Sequence, residues 1–261
     1  MSPAYSYSIP ASASLADETA AEGRPTLREA AVGTASIMIM WALGYCLPNA
    51  LNTLRHCSWA WAASWEASLP YYGWMVVPYL SMNVLYGFAP LCCGSRAELR
   101  ALVRRMAVAI GVAATCFLLY PTRLPESKPD PVTDLDRLYY RLLNIDFPNN
   151  CFPSLHVAFA LILASVYTRP FRGWRRWAVG GWFALIALST VLARQHFVLD
   201  ATAGLVLGWA ACRWIRVPAT SAESDARPIL LPFEEYRTLR MAQAADRVST
   251  ARSPRRRIRA A

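Results

Sequence analysis

Charge is scarce in this chain: 17% of its 261 residues are Asp, Glu, Lys or Arg, against about 25% in an ordinary soluble domain. That deficit, beside 55% hydrophobic residues, excludes a soluble globular protein and leaves a polytopic membrane protein. Lysine is nearly missing, Lys128 being the only one, so the positive charge is almost all arginine. No Cys/His spacing resembles a zinc site and no cluster of carboxylates is present; no cofactor is expected. The basic residues carry no interleaved aromatics, which argues against nucleic acid as a partner. Residues 1–29 lack the apolar core of a cleavable signal peptide. Their Ser, Ala, Asp, Glu and Pro read as a disordered cytoplasmic N-tail.

What the chain does have is long apolar runs. Six of about 18–23 residues each suffice to cross about 30 Å of hydrocarbon; they lie near 30–50, 71–93, 101–120, 152–168, 174–193 and 197–215. Backbone polar groups in hydrocarbon must be satisfied within the segment, so helices are expected. The fold class is therefore all-α, a six-helix membrane domain over 30–216. The arginine-rich stretch 217–261 is a mostly disordered cytoplasmic C-tail.

Arginines set the orientation. Arg24, Arg28, Arg96, Arg100, Arg104, Arg105, Arg169, Arg172, Arg175, Arg176, Arg213 and Arg216 all fall on one side of the six runs. The positive-inside rule makes that side cytoplasmic, with both termini, in a bacterial-type inner membrane. Anionic lipid headgroups are the expected partners of this basic face. Trp59, Trp61, Trp65, Tyr71, Tyr72 and Trp74 suit the outer interface. Most cysteines sit in or at the ends of apolar runs; only Cys57 and Cys151 reach the outer side, where a disulfide is permitted.

The chemistry gathers at the same outer side. FPSLHVAFA begins at Phe152 and STVLARQHFVLDATAG at Ser189, so Ser154, His156, Arg194, His196 and Asp200 lie at the edge of apolar runs. Ionisable groups there are costly and usually functional. His196 and Asp200 are four apart, which stacks them on one helix face. A carboxylate so placed accepts the second imidazole N–H and raises the ring's basicity, as a nucleophilic or general-base histidine requires. Asp200 is the only acid inside any of the six runs. The loop between the third and fourth runs adds Arg123 and Lys128, suited to phosphate capture. Further along it, 134–143 has the pattern of a short amphipathic helix, with Leu135, Leu138, Tyr139 and Leu142 on one face.

PSLH before an apolar helix, then S-T-x5-H-x3-D before another, resembles the type 2 phosphatidic acid phosphatase superfamily. YPTRLP and PYYGWMVVPYLS are similar to the branch containing inositol phosphorylceramide synthases. The resemblance covers roughly 69–208. It implies a metal-independent phosphatase acting on a membrane lipid phosphate through a phosphohistidine. In that scheme His196 is the nucleophile, Asp200 orients it, and His156 protonates the leaving oxygen. Ser154 and Arg123 hold the phosphate. The commoner third motif opens Ser-Arg, whereas Thr190 follows Ser189 here, and Arg194 is the nearest replacement charge. Two alternatives stay open: a phosphotransferase delivering the phosphoryl or phospho-headgroup to another lipid or a polyol, and a non-catalytic scaffold or transporter.

Overall fold

The computed structural model describes residues 23–56, 59, 63–123, 130, 133–143 and 149–217. Helices dominate them, and no strand longer than an isolated bridge occurs among the described residues. Helix α1, Leu27–Leu54, starts with a reciprocal cap: Glu29 N–H donates to Thr26 Oγ1 at 3.2 Å and Thr26 N–H to the Glu29 carboxylate at 2.7 Å. Its middle widens into a π turn over Ala42–Cys46, just ahead of Pro48. Pro48 has no N–H to offer the turn before it, and the wider turn absorbs that defect.

The other helices are α2 (Val76–Cys92), α3 (Arg96–Leu119), α4 (Asp134–Leu143), α5 (Leu155–Tyr167), α6 (Trp174–Leu192) and α7 (Val198–Trp214). Ser95 caps α3 by accepting from Glu98 N–H at 3.1 Å, and Ser154 caps α5. The amphipathic segment of the long loop is indeed helical, opened by a Thr133/Asp136 capping box.

Helix α5 is the hub. It packs against α2, α3, α6 and α7, and Val157, Ala158, Ile162 and Leu163 are fully buried. Ile37, Met82, Leu102, Met106, Phe117 and Ile186 close the core from the surrounding helices. Outward faces carry Val32, Ile39, Val77, Val84, Phe88, Val112 and Val206, all more than 40% exposed. A bundle that is apolar inside and apolar outside is built for lipid.

Two small residues bring α5 and α7 into backbone contact. A Cβ on Gly204 would collide with the Ser154 carbonyl, and one on Gly208 would sit 2.6 Å from the Ala158 carbonyl oxygen. Gly204 and Gly208 thus form a G-x-x-x-G face of the kind that seats helices tightly in membranes.

All six expected runs are helices, displaced by a few residues at their ends. Three are long and apolar enough by themselves to cross a membrane: Leu27–Leu54, Gly73–Cys92 and Arg96–Leu119. Leu155–Tyr167 is apolar but shorter, 13 residues or about 20 Å. Most of the N-tail (1–22), the C-tail from residue 218, Cys57 and Lys128 lie outside the described residues.

Candidate active site

The helices run up and down, so their ends fall into two sets. One holds Glu29, Arg96, Glu98, Arg105 and Arg169; the other holds His156, His196 and Asp200. Helices α5 and α7 both begin at the histidine end, so two positive dipole ends converge there.

His196 reaches this end through the way α6 stops. Arg194 has φ +54°, its N–H donates to the Val191 carbonyl at 3.0 Å, and Gln195 N–H donates to the Thr190 carbonyl at 2.9 Å. These are the two bonds of a Schellman turn with arginine where glycine is usual. His196 N–H also donates to the Thr190 carbonyl at 2.9 Å. Ser189 and Thr190 are fully buried, their hydroxyls bonded back to the Ile186 and Ala187 carbonyls. The motif's Ser-Thr pair therefore builds the helix end that presents His196.

Helix α7 starts two residues later. Phe197 N–H donates to Asp200 Oδ2 at 2.9 Å, fixing the carboxylate at the helix N-terminus. His196 Nδ1 lies 3.7 Å from that same oxygen, within ion-pair range and wider than a hydrogen bond. Asp200 is fully buried and His196 nearly so. His196 Nδ1 and Asp200 Oδ1 have no hydrogen-bond partner among the described residues. Hydrogen bonds of catalytic groups are often long until substrate arrives.

Ser154 joins the two motifs. Its N–H donates to the Asp200 carbonyl at 3.0 Å and its hydroxyl accepts from Val157 N–H at 3.4 Å. Phe152–Pro153 is a cis peptide just before it. His156, in the first turn of α5, stacks on Tyr79 of α2 with ring centroids 4.2 Å apart and planes 11° from parallel.

The first loop lies across this assembly. Arg194 Nη2 donates to the carbonyls of Ala67 (3.1 Å) and Leu69 (2.8 Å), Tyr72 N–H donates to the Leu192 carbonyl (3.0 Å), and Val198 N–H donates to Glu66 Oε1 (2.9 Å). Tyr139 and Leu142 of α4 pack on the Met75–Val76–Tyr79 cluster beside it. Tyr71 sits between; burial first, then the Asp136 carboxylate, pushes its phenol above the ordinary tyrosine value.

Asparagines hold the approach to Ser154. Asn49 Nδ2 of α1 donates to the Asn149 carbonyl (2.7 Å), and Asn52 Nδ2 donates to the Phe117 carbonyl (2.7 Å) and Asn150 Oδ1 (3.0 Å). Asn150, at φ +71°, donates to the Tyr45 carbonyl inside the π turn (2.8 Å). Thr122 Oγ1 then accepts from the N–H groups of Cys151 (3.2 Å) and Phe152 (2.8 Å). Arg123, exposed, pairs its backbone with Trp59 and Asn149.

Of the residues singled out from sequence, Ser154, His156, His196 and Asp200 meet at one end of the bundle. Arg123 belongs to the neighbouring backbone bridge. Arg194 engages the first loop through Nη2, and Lys128 is outside the described residues. Tyr79, Glu66 and the asparagines were not singled out. Gly204 and Gly208 carried a readable signal, the G-x-x-x-G spacing; the asparagines carried none, since their partners are about a hundred residues away in sequence.

Residues 102–219 match the family model of the PAP2 superfamily. No curated protein and no solved structure matches the chain. The matched segment holds both histidine motifs and excludes α1 and α2. It supports an enzyme of phosphatase or phosphotransferase type in a membrane-embedded protein.

Proposed function

We propose that the chain is an integral-membrane lipid phosphate phosphatase that works through a phosphohistidine without a metal. The observation that carries this is the buried His196–Asp200 pair at 3.7 Å, with Ser154 N–H bonded to the Asp200 carbonyl at 3.0 Å. Asp200 faces Nδ1, which leaves Nε2 of His196 as the attacking atom.

The phosphate monoester of the lipid sits where α5 and α7 begin, its charge met by their N-termini, by Ser154 and by Arg123. Lys128 and Arg194 supply further cationic contact. Nε2 forms a bond to phosphorus while the bond from phosphorus to the lipid oxygen breaks. His156 gives its proton to that leaving oxygen, and Asp200 stabilises the charge arising on His196. Water then attacks the phosphohistidine, passes a proton to His156, and inorganic phosphate leaves with His196 restored. Stacking on Tyr79 fixes the plane in which the His156 ring works.

In this reading all six helices cross the membrane, α5 completing its passage with the approach 149–154. The site faces the periplasmic side of a bacterial-type inner membrane and both tails are cytoplasmic. The basic face supports that orientation through anionic lipid contact. Labelling intact cells with an impermeant thiol reagent should reach Asp130→Cys and spare Arg172→Cys; the reverse pattern overturns the topology.

Phosphotransfer is the second reading, as in the inositol phosphorylceramide synthase-like branch. It is favoured by the placement of α4, whose Tyr139 and Leu142 roof the Tyr79 cluster and so bring a polar helix near the histidines. Purified protein given a panel of lipid phosphates decides between them. Hydrolysis yields one free phosphate per dephosphorylated lipid with or without added alcohols. Product lipid outrunning free phosphate when an acceptor is present makes it a transferase, and no turnover on any phosphate leaves a scaffold or transporter.

A further inference from the structure

Cys151 sits beside the proposed nucleophile although 45 positions separate it from His196 in the chain. Its Sγ, a ring nitrogen of His196 and a carboxylate oxygen of Asp200 all lie within 4.8 Å of one another. All three residues are more than nine-tenths buried. The neighbourhood also shows two buried polar atoms with no hydrogen-bond partner among the described residues, His196 Nδ1 and Asp200 Oδ1. Buried polar atoms left so are uncommon, and each calls for an explanation such as a bound ion.

We propose that Cys151, His196 and Asp200 form a zinc-binding triangle whose occupation switches the phosphatase off. The effect on turnover rests on the function proposed above; the binding itself does not. Sulfur, imidazole nitrogen and carboxylate oxygen are the donor set of zinc, whereas magnesium and calcium take oxygen alone. Tetrahedral zinc with ligands at about 2.0–2.3 Å needs donors roughly 3.5 Å apart. Side-chain rotations closing about an ångström complete the triangle, and the fourth position takes water. On binding, Cys151 releases its thiol proton to solvent, His196 coordinates through a neutral nitrogen, and Asp200 coordinates as its carboxylate. Two negative ligands cancel the ion's charge, so the buried site ends neutral, which is the arrangement that a low-dielectric interior tolerates best.

Bound zinc and phosphoryl transfer exclude each other. The ion takes the Asp200 oxygens that would orient His196 and draws off the ring's basicity. Cys151 takes no part in the hydrolytic scheme, so its thiol can be removed without touching that chemistry. Its backbone N–H donates to the Thr122 carbonyl at 3.4 Å and to the Thr122 hydroxyl at 3.2 Å, bonds that survive substitution.

The test uses full-length purified protein and two probes, Zn2+ and Co2+. Titration with Co2+ should give the near-ultraviolet thiolate-to-cobalt absorption in the wild type and lose it in Cys151→Ser and Cys151→Ala. Zn2+ should bind one equivalent and be weakened at least ~100-fold in both variants. On a lipid phosphate, Zn2+ should inhibit the wild type, a chelator should restore it, and both variants should turn over normally while resisting inhibition. Cobalt spectra without the thiolate band, or equal zinc affinity in wild type and variants, overturn the site. Turnover that a chelator abolishes overturns the inhibitory role. If no phosphate is turned over, the function fails while the cobalt spectrum still reads the triangle by itself.

Discussion

Glu98 and Arg105 at one end of the bundle, and His196 and Asp200 at the other, are ionisable groups buried to a similar depth. The protein treats them in opposite ways. Glu98 accepts from Gly94 N–H at 2.7 Å and pairs with Arg169 at 3.2 Å. Arg105 donates to the Ile215 carbonyl and to Ser165 Oγ, each at 2.9 Å, tying α3, α5 and the end of α7 together. At the histidine end, the His196–Asp200 contact is loose at 3.7 Å and both residues keep a buried atom without a hydrogen bond. Buried charges that serve the fold are saturated; those kept for a ligand are left short of partners. The first set should then govern stability and the second activity.

That separation is breakable by substitution. His196→Ala should lower kcat/KM by at least ~10³-fold on a lipid phosphate, with the melting temperature in detergent unchanged; retained turnover removes His196 from the chemistry. Asp200→Asn keeps an oxygen for Phe197 N–H and loses the charge, so a fall on the order of 10²–10⁴-fold is expected with the fold intact. Measured on a nitrophenyl phosphate and on an alkyl phosphate, His156→Ala should hurt the alkyl ester more. Equal losses would argue against His156 as the acid.

Gly208→Ala lies between the ends and should move both readouts: about 1–3 kcal/mol of stability from forcing α7 off α5, and a drop in turnover as Ser154 separates from Asp200. Arg105→Met keeps the apolar stem but strands two acceptors, for about 1–3 kcal/mol of stability with kcat unaffected. A loss of kcat without a loss of stability there would erase the contrast between the ends. Arg194→Gly is the mildest. Relief of the left-handed backbone offers roughly 1 kcal/mol, offsetting the lost tie to Ala67 and Leu69. A roughly tenfold rise in KM is expected from the lost cationic contact with the phosphate; an unchanged KM would restrict the guanidinium to its tie with the first loop.

Helix positions were legible because apolar runs of this length have few solutions, and all six formed within a few residues of where they were expected. The closeness of His196 to Asp200 was legible too, though not as one helix turn: α7 begins at Val198, and the bond from Phe197 N–H to Asp200 Oδ2 holds the carboxylate near His196. What sequence withheld was whatever depends on non-local contact. The pattern gave Arg194 a positive charge near the motif but not the Schellman turn that engages it with the first loop. Cys151 was legible only as one of two outer-side cysteines; its burial beside His196 and Asp200 was not. The grouping of Cys151 with His196 and Asp200 was invisible for the same reason: the thiol lies 45 positions before His196, outside the motif that the other two share.

The asparagine contacts also make the 149–154 approach depend on the N-terminal helix. Helices α1 and α3 carry Asn49, Asn52 and the Phe117 carbonyl, so this approach has its anchors on elements that precede it in the chain. Asp200 reaches His196 through the first turn of α7, the last of the described helices. A chain cut before α7 therefore keeps the anchors of that approach and lacks Asp200 beside His196. Expressing residues 102–219 alone would remove Asn49 and Asn52 and leave that approach without its anchor.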